Sequence, residues 1–211
     1  MPTRILIVDD HGIVRFGLRR ILENELGDVH IGEADSGEQA IALFRDQTWH
    51  LVILDIQLPG RSGLEVLKDL KCTKAATPVL ALSMHASMHY ARRMLRAGAN
   101  GYLTKESAPE ELGHAVRCVL RGRTYLASSI AEAMAGDVGG EGTPPAHARL
   151  TDRELEVLCA LAAGQTTAEI ADHLALSTKT VRSYRTSTLR KLGLKNNAEL
   201  TQFALREHLI G

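Results

Sequence analysis

The sequence has few cysteines, and they are not arranged as a framework. Cys72, Cys118 and Cys159 are odd in number, lie far apart in the chain and form no C-x-x-C pair. Disulfide scaffolds and zinc ribbons need paired or closely spaced cysteines, so the sequence argues against both classes. We interpret the three residues as small apolar side chains that are buried or half-buried.

The sequence also lacks a long apolar run. No segment approaches the roughly 20 apolar residues that a membrane-spanning helix needs. The first ten residues, MPTRILIVDD, lack the long apolar stretch and the cleavage site of a signal peptide. We therefore expect a cytoplasmic protein with no membrane partner.

Neither sign of charge dominates, because 25 basic residues balance 25 acidic residues. Six of the basic residues nevertheless lie close together in the segment 179–195, which contains no acidic residue. That segment holds Lys179, Arg182, Arg185, Arg190, Lys191 and Lys195. Such a density predicts a nucleic-acid contact, with a solvated helix face as the alternative.

The 211 residues, 45% hydrophobic and 24% charged, are typical of a globular protein with room for two domains. In the first part, short apolar runs alternate with amphipathic segments. The runs at 4–8, 29–34, 51–54, 79–82 and 101–103 predict strands, and the segments at 11–26, 37–46, 63–71, 88–97 and 109–121 predict helices. This alternation predicts an α/β fold with a doubly wound, parallel, five-stranded sheet.

A change of composition separates the two parts of the chain. Residues 135–148 are rich in glycine and proline and have little apolar content, so they predict a flexible linker. We place the first domain at 1–125, the linker at 126–148 and the second domain at 149–211. A capping box at 151–154 opens the first of four predicted helices, so the second domain is expected to be small and all-α.

Acidic residues follow two of the predicted strands. Asp9 and Asp10 come after the first strand, and Asp55 ends the third. The carboxyl ends of parallel strands share one edge of a sheet, so these three carboxylates should converge there. Their mutual repulsion needs a divalent cation, and hard oxygen ligands suit Mg²⁺.

Two further polar residues end strands at the same edge. Lys105 follows the fifth strand and supplies a cation for an anionic group, while Ser83 ends the fourth and adds a hydroxyl donor. An acid pair, a lone acid, a hydroxyl and a lysine in this order predict an aspartyl-phosphate site. Taken singly, each piece is better explained without a function: the acid pair as a helix cap, Ser83 as a strand-end hydroxyl and Lys105 as a solvated surface residue.

The segments around these residues resemble a response-regulator receiver over roughly residues 1–125. They are IVDDH at 7–11, LDIQLPG at 54–60 followed by Gly63, Ser83, and GANGYLTK at 98–105. The resemblance implies a flavodoxin-like fold in which Asp55 accepts the phosphoryl group. It also implies that Asp10, Asp55 and the backbone carbonyl of Gln57 bind Mg²⁺ with help from Asp9, and that Ser83 and Tyr102 are the switch hydroxyl and switch aromatic. One departure is Glu106, because many receivers have proline after the lysine.

The second domain has the helix, short turn and helix that place a recognition helix in the major groove. On its third helix an apolar stripe leaves polar residues facing outward. Arginine can pair with guanine in two hydrogen bonds, while residues at the helix start suit phosphate contacts. The expected DNA-binding residues are Thr178, Lys179, Thr180, Arg182, Ser183, Arg185, Thr186 and Lys191.

Residues 149–208 resemble the LuxR-type helix-turn-helix, with LTDRELEVL at 150–158, EIA at 169–171 and RKL at 190–192. A receiver followed by this domain resembles the NarL/FixJ response regulators. The resemblance implies a transcription factor, not an enzyme, with a sensor histidine kinase, promoter DNA and a second copy of the chain as partners. Tyr184, Thr167 and Ser187 depart from residues that are frequent in the family.

Two other functions are compatible with a doubly wound sheet, although the acids, Ser83 and Lys105 argue against both. A haloacid-dehalogenase-like phosphatase also forms an aspartyl phosphate on a doubly wound sheet, but its nucleophile would lie on the first strand in a D-x-D motif, whereas Asp9 and Asp10 are adjacent. Alternatively, the receiver is never phosphorylated and serves only to dimerise. A phosphorylation assay distinguishes a receiver that only dimerises from one that is phosphorylated.

Overall fold

The computed structural model describes residues 2–84, 88–136, 146–207 and 209–210. It divides into two compact units, Met1–Ala135 and Gly136–Gly211. Residues 137–145, which carry most of the glycine and proline of the expected linker, lie outside the described residues. None of the helices in the described ranges has both the length and the apolar character needed to cross a membrane.

The first unit alternates strands and helices. Its strands are β1 (Thr3–Val8), β2 (Val29–Ala34), β3 (Leu51–Asp55), β4 (Val79–Ser83), β5 (Gly101–Thr104) and β6 (Tyr125–Leu126). Its helices are α1 (Gly12–Leu26), α2 (Gly37–Asp46), α3 (Gly63–Thr73), α4 (Met88–Arg96), α5 (Ala108–Leu120) and α6 (Ser128–Gly136). The strands form one parallel sheet in the order β2-β1-β3-β4-β5-β6.

The sheet has six strands, so the prediction of five was wrong by one. The sixth strand, β6, pairs with β5 through two backbone hydrogen bonds. Tyr125 N–H donates to Asn100 O at 3.1 Å, and Ala127 N–H donates to Tyr102 O at 3.1 Å. A two-residue strand is too short to show a periodic pattern, and it forms because the open edge of β5 offers it hydrogen-bonding partners.

Helix α6 lies inside the range expected to be linker. Its Ile130 is fully buried, and Ala127 just before it is almost fully buried. This apolar contact involves few residues and shows no repeat. It lies just before the stretch rich in glycine and proline at 135–148, so the sequence did not reveal it. The first part of the expected linker is therefore ordered structure.

The central strands β3 and β4 are buried along their whole length, which explains why their sequences are continuously apolar. Parallel strands all run the same way, so their carboxyl ends lie at one edge of the sheet. The residues at that edge include Asp9 after β1, Asp55 at the end of β3, Ser83 at the end of β4 and Lys105 after β5.

The second unit is helical in its described part. A 3₁₀ helix at Ala146–Arg149 precedes α7 (Asp152–Ala162), α8 (Thr167–His173), α9 (Thr178–Leu192) and α10 (Asn197–Arg206). Helix α9 packs against both α7 and α8, with Val181, Thr188 and Leu189 buried. Its first turn is capped by the Ser177 hydroxyl, which accepts from Thr180 N–H at 3.0 Å.

Candidate functional site: an acidic pocket and a basic helix face

Three carboxylates meet at the carboxyl ends of β1 and β3. Asp9 and Asp55 are buried, and Asp10 is half-buried. One ligand atom from each of these residues and from His11 lies within 4.8 Å of the others. The sequence predicted this convergence of the acids but not the position of His11, whose signal was only that it directly follows the acid pair.

Lys105 bridges two of the acids. Its Nζ lies 2.7 Å from Asp9 Oδ2 and 2.7 Å from Asp55 Oδ2. Burial alone lowers the pKa of Lys105, but the nearby carboxylates of Asp55 and Asp9 outweigh it and hold that pKa above its usual value. The ammonium group therefore stays protonated at neutral pH.

The Asp55 carboxyl group is held on both of its oxygens. Oδ1 accepts the backbone N–H of Gln57 at 3.0 Å, and Oδ2 accepts from Lys105. Burial raises the pKa of Asp55 to about 6, and the charge of Asp9 adds to this rise, while Lys105 and the Gln57 N–H oppose it. The ionised carboxylate is the main form at pH 7.

The start of α3 approaches Asp55 so closely that only glycine fits. A Cβ atom on Gly63 would lie 2.3 Å from Asp55 O and 2.5 Å from Ile56 Cα. Ser62 caps the helix there in a capping box with Glu65. Steric exclusion of any side chain thus explains why Gly63 follows the Asp55 motif in the sequence.

The pocket suits a hard divalent cation. Three carboxylates face one ammonium group, so the cluster carries excess negative charge. Asp10 Oδ1 is buried without a hydrogen-bond partner in the part of the chain that is described, although His11 Nδ1 is 2.9 Å away. A buried carboxylate oxygen beside two other carboxylates is a ready ligand for a cation that prefers oxygen.

Ser83 lies on β4, which is next to β3 in the sheet, and Tyr102 lies on β5, one strand further out. Ser83 is buried at the end of β4, and its backbone carbonyl accepts from Lys105 N–H at 2.7 Å. Tyr102 is fully buried on β5, where its neighbour on β6 is Leu126. The expected switch hydroxyl is thus at the pocket's edge, and the expected switch aromatic points into the protein.

Helix α9 presents one basic face. Lys179, Arg182, Ser183 and Thr186 are exposed, and they line a shallow depression of about 380 Å³ together with Ser187 and Arg190. Spacings of three and four residues place these side chains on one side of the helix. Arg190 was absent from the sequence-based set, although it follows Thr186 by one turn.

Four other expected DNA-binding residues do not line this depression. Lys191 Nζ lies 2.6 Å from Glu154 Oε2, and Arg185 Nε donates to Asn197 Oδ1 at 2.6 Å. Thr180 belongs to the capped first turn, where its hydroxyl lies 2.7 Å from Ser177 Oγ, and Thr178 is exposed at the start of α9. Lys191 and Arg185 are thus each engaged in a contact within the unit, and their contacts with DNA stay a prediction.

Glu154 of α7 fixes α9 in place. Its buried carboxylate accepts from Thr151 N–H at 2.7 Å, from Ser187 Oγ at 2.7 Å and from Lys191 Nζ at 2.6 Å. Burial alone raises the pKa of Glu154, but the hydrogen bonds from Lys191, Ser187 and Thr151 outweigh it and lower that pKa to about 2. The orientation of the basic face therefore depends on an ionised Glu154.

Comparison with known families agrees with both parts of the site. Residues 5–117 match the response regulator receiver domain, and residues 148–204 match the bacterial regulatory proteins of the luxR family. The first range contains the acidic pocket, and the second contains α7, α8 and α9.

The chain is also similar to whole proteins of this kind. It is 39% identical to the response regulator UvrY of Escherichia coli strain K12 over 206 residues, which is 97% of this chain and 94% of UvrY. It is 39% identical to the transcriptional activator protein ExaE of Pseudomonas putida over 208 residues, which is 98% of this chain and 97% of ExaE.

Among solved structures, the fold resembles the response regulator RcsB. A structure of the Salmonella typhimurium protein aligns with a TM-score of 0.71 at 27% identity, covering 98% of this chain and 99% of that one. A structure of two RcsB dimers bound to two parallel DNAs aligns with a TM-score of 0.62 at 27% identity, with the same coverage.

Proposed function

Because the chain belongs to the NarL/FixJ family of two-component response regulators, we propose that phosphorylation of Asp55 by a sensor histidine kinase controls its dimerisation and its sequence-specific binding to double-stranded promoter DNA. The family consists of transcription regulators and not enzymes, so the phosphatase reading was wrong. The observation that carries the proposal is the buried Asp55 carboxylate with Lys105 Nζ at 2.7 Å.

The chemistry follows from this geometry. A carboxylate oxygen of Asp55 attacks the phosphorus of a phosphohistidine, a P–O bond forms as the P–N bond breaks, and the imidazole leaves and takes up a proton. Lys105 stabilises negative charge on the equatorial oxygens. The high pKa of Lys105 keeps its ammonium group charged throughout.

The residues that would hold Mg²⁺ are Asp10, Asp55 and the backbone carbonyl of Gln57, with Asp9 assisting. The buried Asp10 Oδ1 and the excess of carboxylates support this assignment. When bound, the cation neutralises charge between the carboxylates and an incoming phosphoryl group. The protein's own part is to hold the carboxylates at the sheet edge, out of bulk water.

Ser83 and Tyr102 would transmit the modification. A phosphoryl group on Asp55 carries about −1.5 to −2 charges and strong acceptor oxygens, so it attracts the Ser83 hydroxyl. The backbone hydrogen bond from Lys105 to Ser83 couples the ends of β4 and β5. A shift there would reach Tyr102, and through Tyr102 O it would reach the backbone of Ala127, directly after β6.

DNA binding would use the basic face of α9. Lys179, Arg182 and Arg190 give it positive charge, and the face is open to solvent. One such small module makes few base contacts, so useful specificity requires two copies. RcsB has been seen as dimers on DNA, and we extend that arrangement to this chain as a phosphorylated homodimer.

In domain terms, 1–125 would be the receiver, 126–148 the linker and 149–211 the DNA-binding domain.

The proposal is tested by phosphorylating the full chain with acetyl phosphate and Mg²⁺. Wild type should gain one phosphoryl group in intact mass, and Asp55→Asn should gain none. Asp69→Asn is the matched control, because Asp69 is a half-buried acid on α3 that pairs with Arg61, and it should behave as wild type.

Two results would count against the proposal. Phosphorylation of Asp55→Asn at the wild-type rate would move the phosphoacceptor elsewhere. A wild-type chain that binds DNA but takes no phosphoryl group would favour a receiver that only dimerises.

A further inference from the structure

Arg15 on α1 contacts the backbone of the acidic pocket, not its carboxylates. Its Nη1 donates to the backbone carbonyl of Asp9 at 2.6 Å, and its Nε donates to Glu33 Oε2 at 3.1 Å. The Arg15 side chain is 18% exposed, so both hydrogen bonds are largely shielded from water. One guanidinium group therefore joins α1, β2 and the end of β1.

The carbonyl of Asp9 lies where the strand pairing stops. Asp9 N–H still donates to Ala34 O at 3.1 Å, as the last hydrogen bond from this end of β1 to β2. The guanidinium group then supplies the donor for the Asp9 carbonyl. The peptide unit between Asp9 and Asp10 is in this way held by Arg15, just before the side chain of Asp10.

Glu33 holds the guanidinium group in place. It lies on β2 opposite Ile7 and also accepts from Arg19 Nε at 2.8 Å. Burial alone raises the pKa of Glu33, but hydrogen bonds from Arg19 and Arg15 hold it below its usual value, so Glu33 is ionised at neutral pH. Arg19 shares Glu33 with Arg15, whereas the hydrogen bond to Asp9 O comes from Arg15.

We propose that Arg15, oriented by Glu33, is a positioning residue that fixes the Asp9–Asp10 peptide and thereby sets the affinity of the pocket for Mg²⁺. The proposal rests on the proposed function, because it takes the pocket to be the Mg²⁺ site. Residues that orient metal ligands commonly change metal affinity when they are replaced.

The sign of the effect separates positioning from simple electrostatics. Arg15 is a cation close to an acidic cluster, so removing its charge would by itself tighten the binding of another cation. If Arg15 positions the ligands, its removal weakens binding instead. Arg19→Ala is the matched control, because it removes a cation from the same Glu33 without removing the hydrogen bond to Asp9.

The experiment measures the Mg²⁺ dissociation constant of the full chain by calorimetric titration. Arg15→Ala should raise this constant about tenfold, and Arg19→Ala should leave it unchanged or lower it. In the acetyl phosphate reaction, the half-saturating Mg²⁺ concentration should rise for Arg15→Ala while the rate at saturating Mg²⁺ stays near that of wild type. A merely structural role would not produce this split.

Folding is checked separately with Trp49, the single tryptophan, which is buried beside Arg4 near the start of β1. If Arg15→Ala does not fold, Arg15→Met, which keeps an unbranched stem without an N–H donor, serves as the second variant, and weaker Mg²⁺ binding is again expected. Unchanged or tighter Mg²⁺ binding in a folded Arg15 variant overturns the inference. Failure of wild type itself to bind Mg²⁺ or to be phosphorylated would overturn the proposed function instead.

Discussion

Two cations on α9 differ in what they can do on DNA. Lys179 lies in the first turn, where free backbone N–H groups also favour phosphate, and its ammonium group is a point charge. Arg182 lies one turn later on the exposed face, and its planar fork can make two hydrogen bonds to guanine. We expect Arg182 to read a base and Lys179 to contact the backbone.

Replacing each residue by alanine should therefore give different results. Arg182→Ala should cost roughly 1–3 kcal/mol of binding free energy and relax the preference at one base pair per half-site. Lys179→Ala should weaken binding to all sequences alike and reduce the salt slope by about 1. Binding titrations on a target and on mutated targets, at several salt concentrations, measure both quantities.

The two variants must differ for this assignment to stand. If Arg182→Ala keeps wild-type affinity and base preference, recognition lies with Ser183, Thr186 or another residue of the depression, or α9 does not enter the groove.

At this scale the sequence predicted where the pocket residues lie, because strand ends in a parallel sheet share an edge. It could not predict that the Lys105 ammonium group contacts both Asp9 and Asp55, because that depends on side-chain conformation. It also could not show that Lys191 faces Glu154, since a helical repeat does not reveal which neighbour a long side chain reaches. The functional roles of these residues remain predictions.

At the scale of elements, the second unit depends on the contact between α7 and α9. Glu154 makes that contact through Ser187 and Lys191 of α9, and it also closes the capping box at Thr151. In this partly buried ion pair only Glu154 is buried, so losing Lys191 would leave a buried charge without compensation, which is destabilising. The basic face of α9 thus relies on a residue outside it.

This contact should be sensitive to acid. The folded state lowers the pKa of Glu154 to about 2, so its stabilising contribution is present above the ordinary glutamate pKa near 4.3 and is lost as the pH falls toward 2. Glu154→Gln should lower the stability of the second unit by roughly 1–3 kcal/mol at pH 7, and the difference from wild type should shrink across that acid window.

Hydrogen exchange of α9 amides in the full chain, corrected for the intrinsic rate at each pH, measures this stability. Lys191→Ala should reproduce much of the loss at pH 7, whereas Lys195→Ala, at an exposed position after α9, should not. A Glu154→Gln chain with wild-type protection at pH 7 would contradict the role given to this ion pair.

The long elements of the first unit could be predicted because each carries a clear repeat. The elements that were missed are β6 and α6, and both lack such a repeat. They are held instead by tertiary contacts, namely the free edge of β5 and the buried Ile130. Elements of this kind form because of what surrounds them, so the sequence of the segment alone does not reveal them.

At the scale of the whole molecule, the proposed phosphorylation site and the proposed DNA-binding face belong to different units. The acidic pocket belongs to Met1–Ala135, and the basic face of α9 belongs to Gly136–Gly211. Regulation therefore requires that a change at Asp55 alter the DNA affinity of a surface that Asp55 does not form. The proposed dimerisation would meet this requirement, because pairing two receivers would bring two copies of α9 to adjacent half-sites.

The most direct test of this account is the DNA affinity of the full chain with and without acetyl phosphate and Mg²⁺, measured together with its molecular mass in solution. Phosphorylated wild type should dimerise and bind at least about tenfold more tightly, within the usual range of coupling between sites. Ser83→Ala should be phosphorylated yet respond more weakly, and Asp55→Asn should not respond. An Asp55→Asn chain that gains as much affinity from the treatment as wild type would contradict the account.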